Sequence, residues 1–440
     1  MNNEFISNYN ILNISIILIF LLCYTLVILE EFTQIKKSKA TIIAAGIIWI
    51  MIAFIATKDY EIKIINNSLK HVLLEYCELF LFLFVAMTYI NSIKSFGVLD
   101  KIKYKILSKN LSYKKIYWLT GILAFFISPI ADNLTTALLM SSIIISIEKN
   151  NKKFINLTCI NIVTAANAGG AFSPFGDITT LMIWQNDIIN FKSFFNIFIP
   201  SLVSFIIPSL IISFNIPNSK PKNTNIKDKK LKNGAIILII MFVSTIALTV
   251  IIQTYLKLPS VIGMMTGLGF LHIFEYIQNK KNTNFNLTDQ INKIEWETLL
   301  FFYGIMLCIS GLSAIGILNN ISNFIYNDIG CNFSTIHQHT PANIIIGLLS
   351  ALIDNIPITF AVLNMNPTMS EGQWLLVTLT AGIGGSLLSI GSAAGIAIMG
   401  QAKNIYTFFS HLKWSWAILI GYILGIITHI QINKILFYAI

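Results

Sequence analysis

The sequence contains no arginine: all 30 basic residues are lysine. A carrier that grips phosphates or carboxylates through a bidentate guanidinium has no such group to offer here. Charge of either sign is also scarce. Only 11% of the 440 residues are charged and 55% are hydrophobic, with a mean hydropathy of +0.72, whereas a soluble domain carries about a quarter charged residues. No water-soluble core could hide this much apolar surface. The five cysteines (Cys23, Cys77, Cys159, Cys308, Cys331) are scattered without metal-ligand spacing, which excludes a disulfide framework and a zinc site. There is no ATP-binding motif and no nucleophile–base pairing, so an enzyme is excluded and no organic cofactor is implied. The net charge of +10 would suit nucleic acid, but the lysines sit in loops between apolar stretches.

Stretches of about 20 apolar residues, the length that crosses a bilayer core, recur along the whole chain. Ile11–Leu29 lacks a basic n-region and reads as a true span rather than a signal peptide. Spans fall at 11–30, 41–57, 72–93, 154–190 (broken), 192–215, 234–254, 259–277, 297–318, 372–402 (broken) and 411–433. Two further stretches, 116–148 and 341–365, are interrupted midway by polar residues. Read as hairpins that enter and leave on one side, they sort the lysines cleanly: 24 on one face and six (Lys58, Lys63, Lys70, Lys192, Lys257, Lys434) on the other. The positive-inside rule then makes the first face cytoplasmic and both termini periplasmic, in a multi-pass protein of the bacterial inner membrane.

The two halves resemble each other. ELFLF (78–82) recurs as ETLLF (297–301), GVL (97–99) as GIL (316–318), IADNLT (130–135) as LIDNIP (352–357), and Gly169, Gly170 and Gly176 as Gly384, Gly385 and Gly391. The two members of the first pair lie on spans that run in opposite directions, 72–93 inward and 297–318 outward, so the repeat is inverted, a common transporter architecture with its site near the midplane. The fold class expected is an all-α polytopic membrane protein with inverted repeats. Residues 1–70 form N-terminal spans, 71–216 the first repeat, 217–294 a linker with two connecting spans, and 295–440 the second repeat. Each repeat carries a re-entrant hairpin (116–148, 341–365) and a broken helix (154–190, 372–402).

Four segments carry chemistry. Pro129 breaks the first hairpin before Asp132, Asn133 and Thr135. Asp132 could merely cap the second arm, but Asn or Ser would do that at lower cost near the bilayer centre. In the first broken helix, glycines and Pro174 interrupt a span beside Asn167, Ser173, Asp177 and Thr180. Unwound backbone at that depth is tolerated only when buried in protein or lining a cavity. Its carbonyls, hydroxyls and acid make an all-oxygen setting suited to a small hard cation. Asp354 and Asn355 repeat the first tip. Ser389 and Ser392 lie in the second break, with Ser392 standing where the first half has Asp177. No lysine accompanies these acids in any span, so the midplane reads as an uncompensated negative site that asks for a cation. Glu78 and His71 lie at a span start and offer a proton path or a pH response, or simply face headgroups. The aromatic residues read mostly as lipid-facing or interfacial filler.

The stretches ANAGGAFSPFGDITT (166–180) and GGSLLSIGSAAGIAIMG (384–400), together with ADNLTT and IDNIP, resemble the NhaD-type sodium/proton antiporters of the ion-transporter superfamily. The resemblance runs from about residue 70 to the end; the first two spans carry little of it. It implies Na⁺ or Li⁺ exported against entering H⁺ in the service of pH homeostasis, often by a homodimer. It also implies ion binding by Asp132, Asn133, Thr135, Asn167, Ser173, Asp177, Asp354, Asn355, Ser389 and Ser392, with Na⁺ held at Asp132, Asp177 and Asp354. The alternative on the same fold is a Na⁺-coupled dicarboxylate or anion symporter. Related symporters hold substrate carboxylates with Ser-Asn-Thr-type tips, and aspartate at both tips here disfavours an anion.

A partly desolvated carboxylate holds a proton or a sodium ion, but poorly both. Exchange then follows from competition at midplane carboxylates with alternating access, with Asp132 and Asp354 as the exchanging acids and Asp177 biasing affinity. The lysine sorting makes a direct prediction. Cysteines introduced at 149–153 and at 220–232 react with a membrane-impermeant maleimide from the cytoplasmic face; reaction of 149–153 only from outside defeats the hairpin reading of 116–148.

Overall fold

Lipid offers no water to bind backbone amides, so a spanning chain must satisfy them internally. Among the described residues all regular structure is helical. The computed structural model describes residues 10–438 except 34, 57–58, 110, 149–150, 222–230, 282–284 and 329–337. Cys331, Lys58, Lys149 and the lysines of 222–230 lie outside the described residues. The main helices are α1 (Asn10–Ile28), α2 (Lys37–Ile55), α3 (Asp59–Ser95), α4 (Tyr113–Ala131), α5 (Asn133–Ile147), α6 (Lys152–Gly170), α7 (Ile178–Gln185) and α8 (Phe198–Ser213). They continue with α9 (Ala235–Leu256), α10 (Ser260–Lys280), α11 (Trp296–Ala314), α12 (Thr340–Leu349), α13 (Asn355–Met365), α14 (Glu371–Gly384), α15 (Ala393–Gln401) and α16 (Ser415–Ile432). Seven helical stretches, α2, α3, Phe191–Ser213, α9, α10, α11 and α16, are long and apolar enough to cross a membrane. The protein is an all-α, multi-pass membrane protein.

One span differs in length from its sequence reading. The apolar run 72–93 is the inner part of a 37-residue helix, α3. No glycine or proline interrupts Asp59–Ser95. At 1.5 Å per residue the helix is about 55 Å long, well beyond a bilayer core of about 30 Å. The aromatics also differ. Phe82, Tyr89, Tyr117, Phe125, Phe154, Phe205, Phe301 and Phe302 are wholly buried. Phe125 stacks on Phe205 with centroids 5.4 Å apart and tilts against Phe172 at 5.4 Å. In a bundle this wide the inner helices face only other helices, so aromatics there pack inward and not into lipid.

Chain reversal is readable from contacts. The Tyr113 and Phe154 rings meet at 4.5 Å, Asn161 donates to the Tyr117 carbonyl at 3.0 Å, and Ser128 donates to the Ala166 carbonyl at 2.6 Å. Helices α4 and α6 therefore run in the same direction, and α5 must return between them. The Tyr113 hydroxyl donates to Glu148, just past the end of α5. In the second half Asn343 donates to Gln373 Oε1 at 2.8 Å and Ser350 to the Ala381 carbonyl at 2.9 Å. Helices α12 and α14 are thus parallel, with α13 returning between them.

The matching contacts extend to the glycines. A Cβ on Gly169 would lie 2.2 Å from the Phe125 carbonyl oxygen, and one on Gly384 would lie 1.9 Å from that of Gly347. These close approaches let each broken helix lie against its hairpin's first arm. At the ends of α3 and α11, Gly97 and Gly316 take φ of 80° and 79°, which L side chains rarely adopt.

Helices α2 and α11 also pack in parallel. Ser38 donates to Glu297, Trp49 Nε1 to the Leu307 carbonyl at 2.9 Å, and Gly304 abuts Thr41. This pairing fixes the start of α2, and with it Lys37, beside the second hairpin.

Gly169→Ala and Gly384→Ala drive a methyl into backbone carbonyls, at a cost of about 1–3 kcal/mol or more each. Both variants lose monodisperse protein on size-exclusion chromatography. Gly46→Ala, whose Cβ meets nothing within 4 Å, behaves as the parent chain.

Candidate functional site

Four helices begin just after a tip or a break. Asp132 caps α5, Asp177 caps α7, Asp354 caps α13 and Ser392 caps α15, each accepting from a backbone N–H one turn in. The unsatisfied amides and positive dipole end of a helix start favour an anion. Three carboxylates are held in the interior partly in this way. Capping and site membership coincide at Asp177, so the two readings of such an acid do not compete.

Asp177 is the point of convergence. Its Oδ2 accepts from Asn133 Nδ2 at 2.9 Å and from Asn355 Nδ2 at 2.8 Å, one asparagine from each hairpin tip. Its Oδ1 accepts from the Thr179 amide at 3.2 Å. Asn133 also donates to Asn167 Oδ1 at 3.1 Å. Asn167 in turn donates to Ser386 and Ser392, both at 2.9 Å, across to the second break. One hydrogen-bonded network therefore joins both tips and both breaks, and all its members are buried. A Cβ on Gly382 would sit 4.0 Å from Asp177 Oδ2, so α14 approaches the carboxylate there with bare backbone.

The other acids stand apart from this centre. Asp132 accepts from the Thr135 amide at 2.7 Å and its hydroxyl at 2.9 Å. It holds φ 56° and ψ 162°, a region that costs a non-glycine residue roughly 1–3 kcal/mol. Asp132 and Asp177 line one cavity, which meets a second at Met87 and Ile90. That second cavity is bounded by Asn91, Lys94, Thr135 and Glu295.

Asp354 lies elsewhere, with Oδ2 3.5 Å from Lys37 Nζ. Of the three acids that the sequence reading gave to Na⁺, Asp132 and Asp177 therefore share a cavity and Asp354 is paired with Lys37. Among the described residues no three acidic, histidine or cysteine side chains come together as a metal site. The reading that no lysine accompanies the acids is corrected, because α2 begins at Lys37 and its packing on α11 carries that side chain to Asp354.

The remaining candidates divide. Ser173 donates to the Pro129 carbonyl at 2.8 Å, tying the break to the tip. Thr180 donates to the carbonyls of Ser173 at 2.8 Å and Asp177 at 2.7 Å and holds the turn closed. Ser389 is buried with no hydrogen-bond partner for its hydroxyl and does not join the network. His71 pairs with Glu75 at 3.6 Å on the exposed outer part of α3. Glu78 lines a separate small cavity with Glu75, Gln185 and Asn186. Two residues of weight escaped the sequence reading. Ser386 occupies the same hydroxyl-rich run as Ser392, but its counterpart in the first break is Ala171, so repeat matching passed over it. Lys37 lies before the apolar run 41–57 and was counted with the loop lysines; its place one turn outside a span was the available signal.

A family model described as "Citrate transporter" matches residues 5–382. The chain is 45% identical to a Na(+)/H(+) antiporter NhaD of Vibrio cholerae over 95% of this chain and 91% of that protein. It is 46% identical to an NhaD of Alkalimonas amylolytica over 96% and 91%, and 30% identical to sodium/proton antiporter 1 of Arabidopsis thaliana over 97% and 73%. These relatives are transporters and not enzymes. With a resemblance that spans nearly its whole length, the chain belongs to the NhaD-type sodium/proton antiporters within the wider citrate-transporter family.

Proposed function

We propose that the protein exchanges cytoplasmic Na⁺ or Li⁺ for external H⁺ by alternating access, with Asp177 as the carboxylate at which cation and proton compete. The observation that carries this is the meeting of Asn133 and Asn355, from the two hairpin tips, on one Asp177 oxygen. The relatives' names support the sodium/proton pairing. This assignment reverses the emphasis of the sequence reading, which gave the exchange to the tip acids.

The chemistry follows from the donor set. An asparagine presents either an NH₂ or a carbonyl oxygen by a half-turn of its amide. Asn133 and Asn355 can therefore donate to an empty, ionised Asp177 and turn their oxygens to a bound sodium ion. The Asn167 oxygen and the carbonyls at the end of α6 add hard ligands of the kind a small cation prefers. A proton on Asp177 removes the charge that holds the cation, so the two ions exclude each other. Asp132, in the cavity that reaches toward Lys94 and Glu295, draws cations from the face that the lysines mark as cytoplasmic. The repeats 71–216 and 295–440 are taken as inverted copies that rock against each other. Both termini are taken as periplasmic, in the inner membrane.

In everted vesicles, added Na⁺ or Li⁺ collapses a preformed pH gradient, while labelled succinate and citrate do not accumulate. Sodium-dependent uptake of either acid moves the protein to the anion-symporter class. Asp177→Asn keeps the size of the side chain but removes its charge, and coupled exchange is lost while the protein still inserts. Asp132→Asn raises the apparent Km for Na⁺ about tenfold, which corresponds to about 1.4 kcal/mol. Near-normal exchange by Asp177→Asn refutes the competition mechanism at this residue.

A further inference from the structure

The two hairpin tips are near copies, yet their acids meet different surroundings. Asp132 receives a local donor on each oxygen, the amide and the hydroxyl of Thr135. Asp354 is the repeat counterpart of Asp132, and the counterpart of Thr135 is Pro357. Proline has neither an amide hydrogen nor a hydroxyl, so both donors are missing. Among the described residues, Asp354 Oδ1 receives only the Ile356 amide at a long 3.4 Å, and its buried Oδ2 has no hydrogen-bond partner. A carboxylate only 5% exposed cannot stay ionised without compensation.

The compensation comes from outside the repeat. Lys37 Nζ stands 3.5 Å from Asp354 Oδ2, and its side chain is only 13% exposed. The ammonium also lies 4.2 Å from the centroid of the Phe301 ring, a cation–π contact that helps hold it in place. Phe301 belongs to α11, against which α2 is packed through Ser38, Thr41 and Trp49. The lysine is therefore positioned by two helices and not by a flexible loop. Tyr24 of α1 lines the same cavity as Lys37 and Asp354.

From this geometry we infer that Lys37 is a tethered counter-cation: its ammonium fills the cation position at the second hairpin tip, leaving the transported sodium a single site at Asp177. The inference rests on the sodium-exchange reading and deepens it. An ammonium and a sodium ion carry the same charge, and both seek carboxylate oxygens. With Lys37 in place, Asp354 has no unpaired charge to offer a second sodium ion. Two nearly identical tips thus yield one ion site, and the N-terminal helices α1 and α2, outside both repeats, supply the difference.

The test is sodium binding by the purified full-length chain in detergent, measured with radioactive Na⁺ at saturation and counted per chain. The parent chain binds one ion. Lys37→Met keeps an unbranched side chain one atom shorter but removes the charge, and binding doubles to two ions per chain. Lys37→Arg retains the cation and binds one. Lys37→Met/Asp354→Asn removes both charges and returns to one, a rescue that a merely structural role of Lys37 would not produce. Should Lys37→Met fail to fold, Asp354→Asn alone decides: it retains the bound ion with affinity within about twofold of the parent, a difference of under about 0.4 kcal/mol. A single ion bound by well-folded Lys37→Met, or sodium binding lost in Asp354→Asn, overturns the inference. A parent chain that binds no sodium at all instead overturns the exchange reading on which it rests.

Discussion

A single carboxylate shared between two asparagines organises the centre of this protein. Asp177 is 3% exposed, and a buried carboxylate needs hydrogen-bond donors close by. Its oxygens find them on Asn133 and Asn355, residues 222 positions apart in the chain, and on the backbone of its own helix start. Each hairpin tip is thereby pinned to the first break, and Asn167 carries the connection on to Ser386 and Ser392 in the second. A change of charge at Asp177 alters what all four segments bond to. Such a shared acceptor is what the proposed coupling of an ion to a movement of one half against the other requires.

Near-symmetry of backbone and asymmetry of side chain divide the labour. The close approaches of Gly169 and Gly384, and the bonds from Ser128 and Ser350 to the broken helices, have the same form in both halves. They build the scaffold twice. The site differs wherever polar chemistry is concerned: Asp177 against Ser392, Asn167 against Gly382, Thr135 against Pro357. An exactly doubled site would gather acids in opposed pairs, each repelling its twin in a low-dielectric interior. Ser392 in place of a second Asp177, and the pairing of Asp354 with Lys37, remove that repulsion.

Membership in a family described by citrate transport does not carry a substrate with it, because one fold hosts several chemistries and the site selects among them. Here acids stand at both tips and at the centre, and no guanidinium exists to receive a polycarboxylate. The relatives named as antiporters lie on the same side of that division.

Much of this was written in the sequence. Hydropathy alone made the chain a membrane protein, since helical hydrogen bonding is local and apolar runs of spanning length have few other uses. The glycine pairs, Pro129 and the repeated Asp-Asn dipeptides located the tips and breaks, because backbone interruption has a residue signature. Asp132, Asn133, Asn167, Asp177, Asn355 and Ser392 were all legible as site candidates on that ground. What only the tertiary structure decided is who faces whom. Sequence spacing says nothing of the side-chain directions across a bundle, so it could not make Asp177 the common acceptor of Asn133 and Asn355, leave Ser389 out, or bring Ser386 in. Nor could it draw Lys37 from a basic flank to Asp354, because that contact depends on how α2 packs on α11, some 260 residues downstream in the chain.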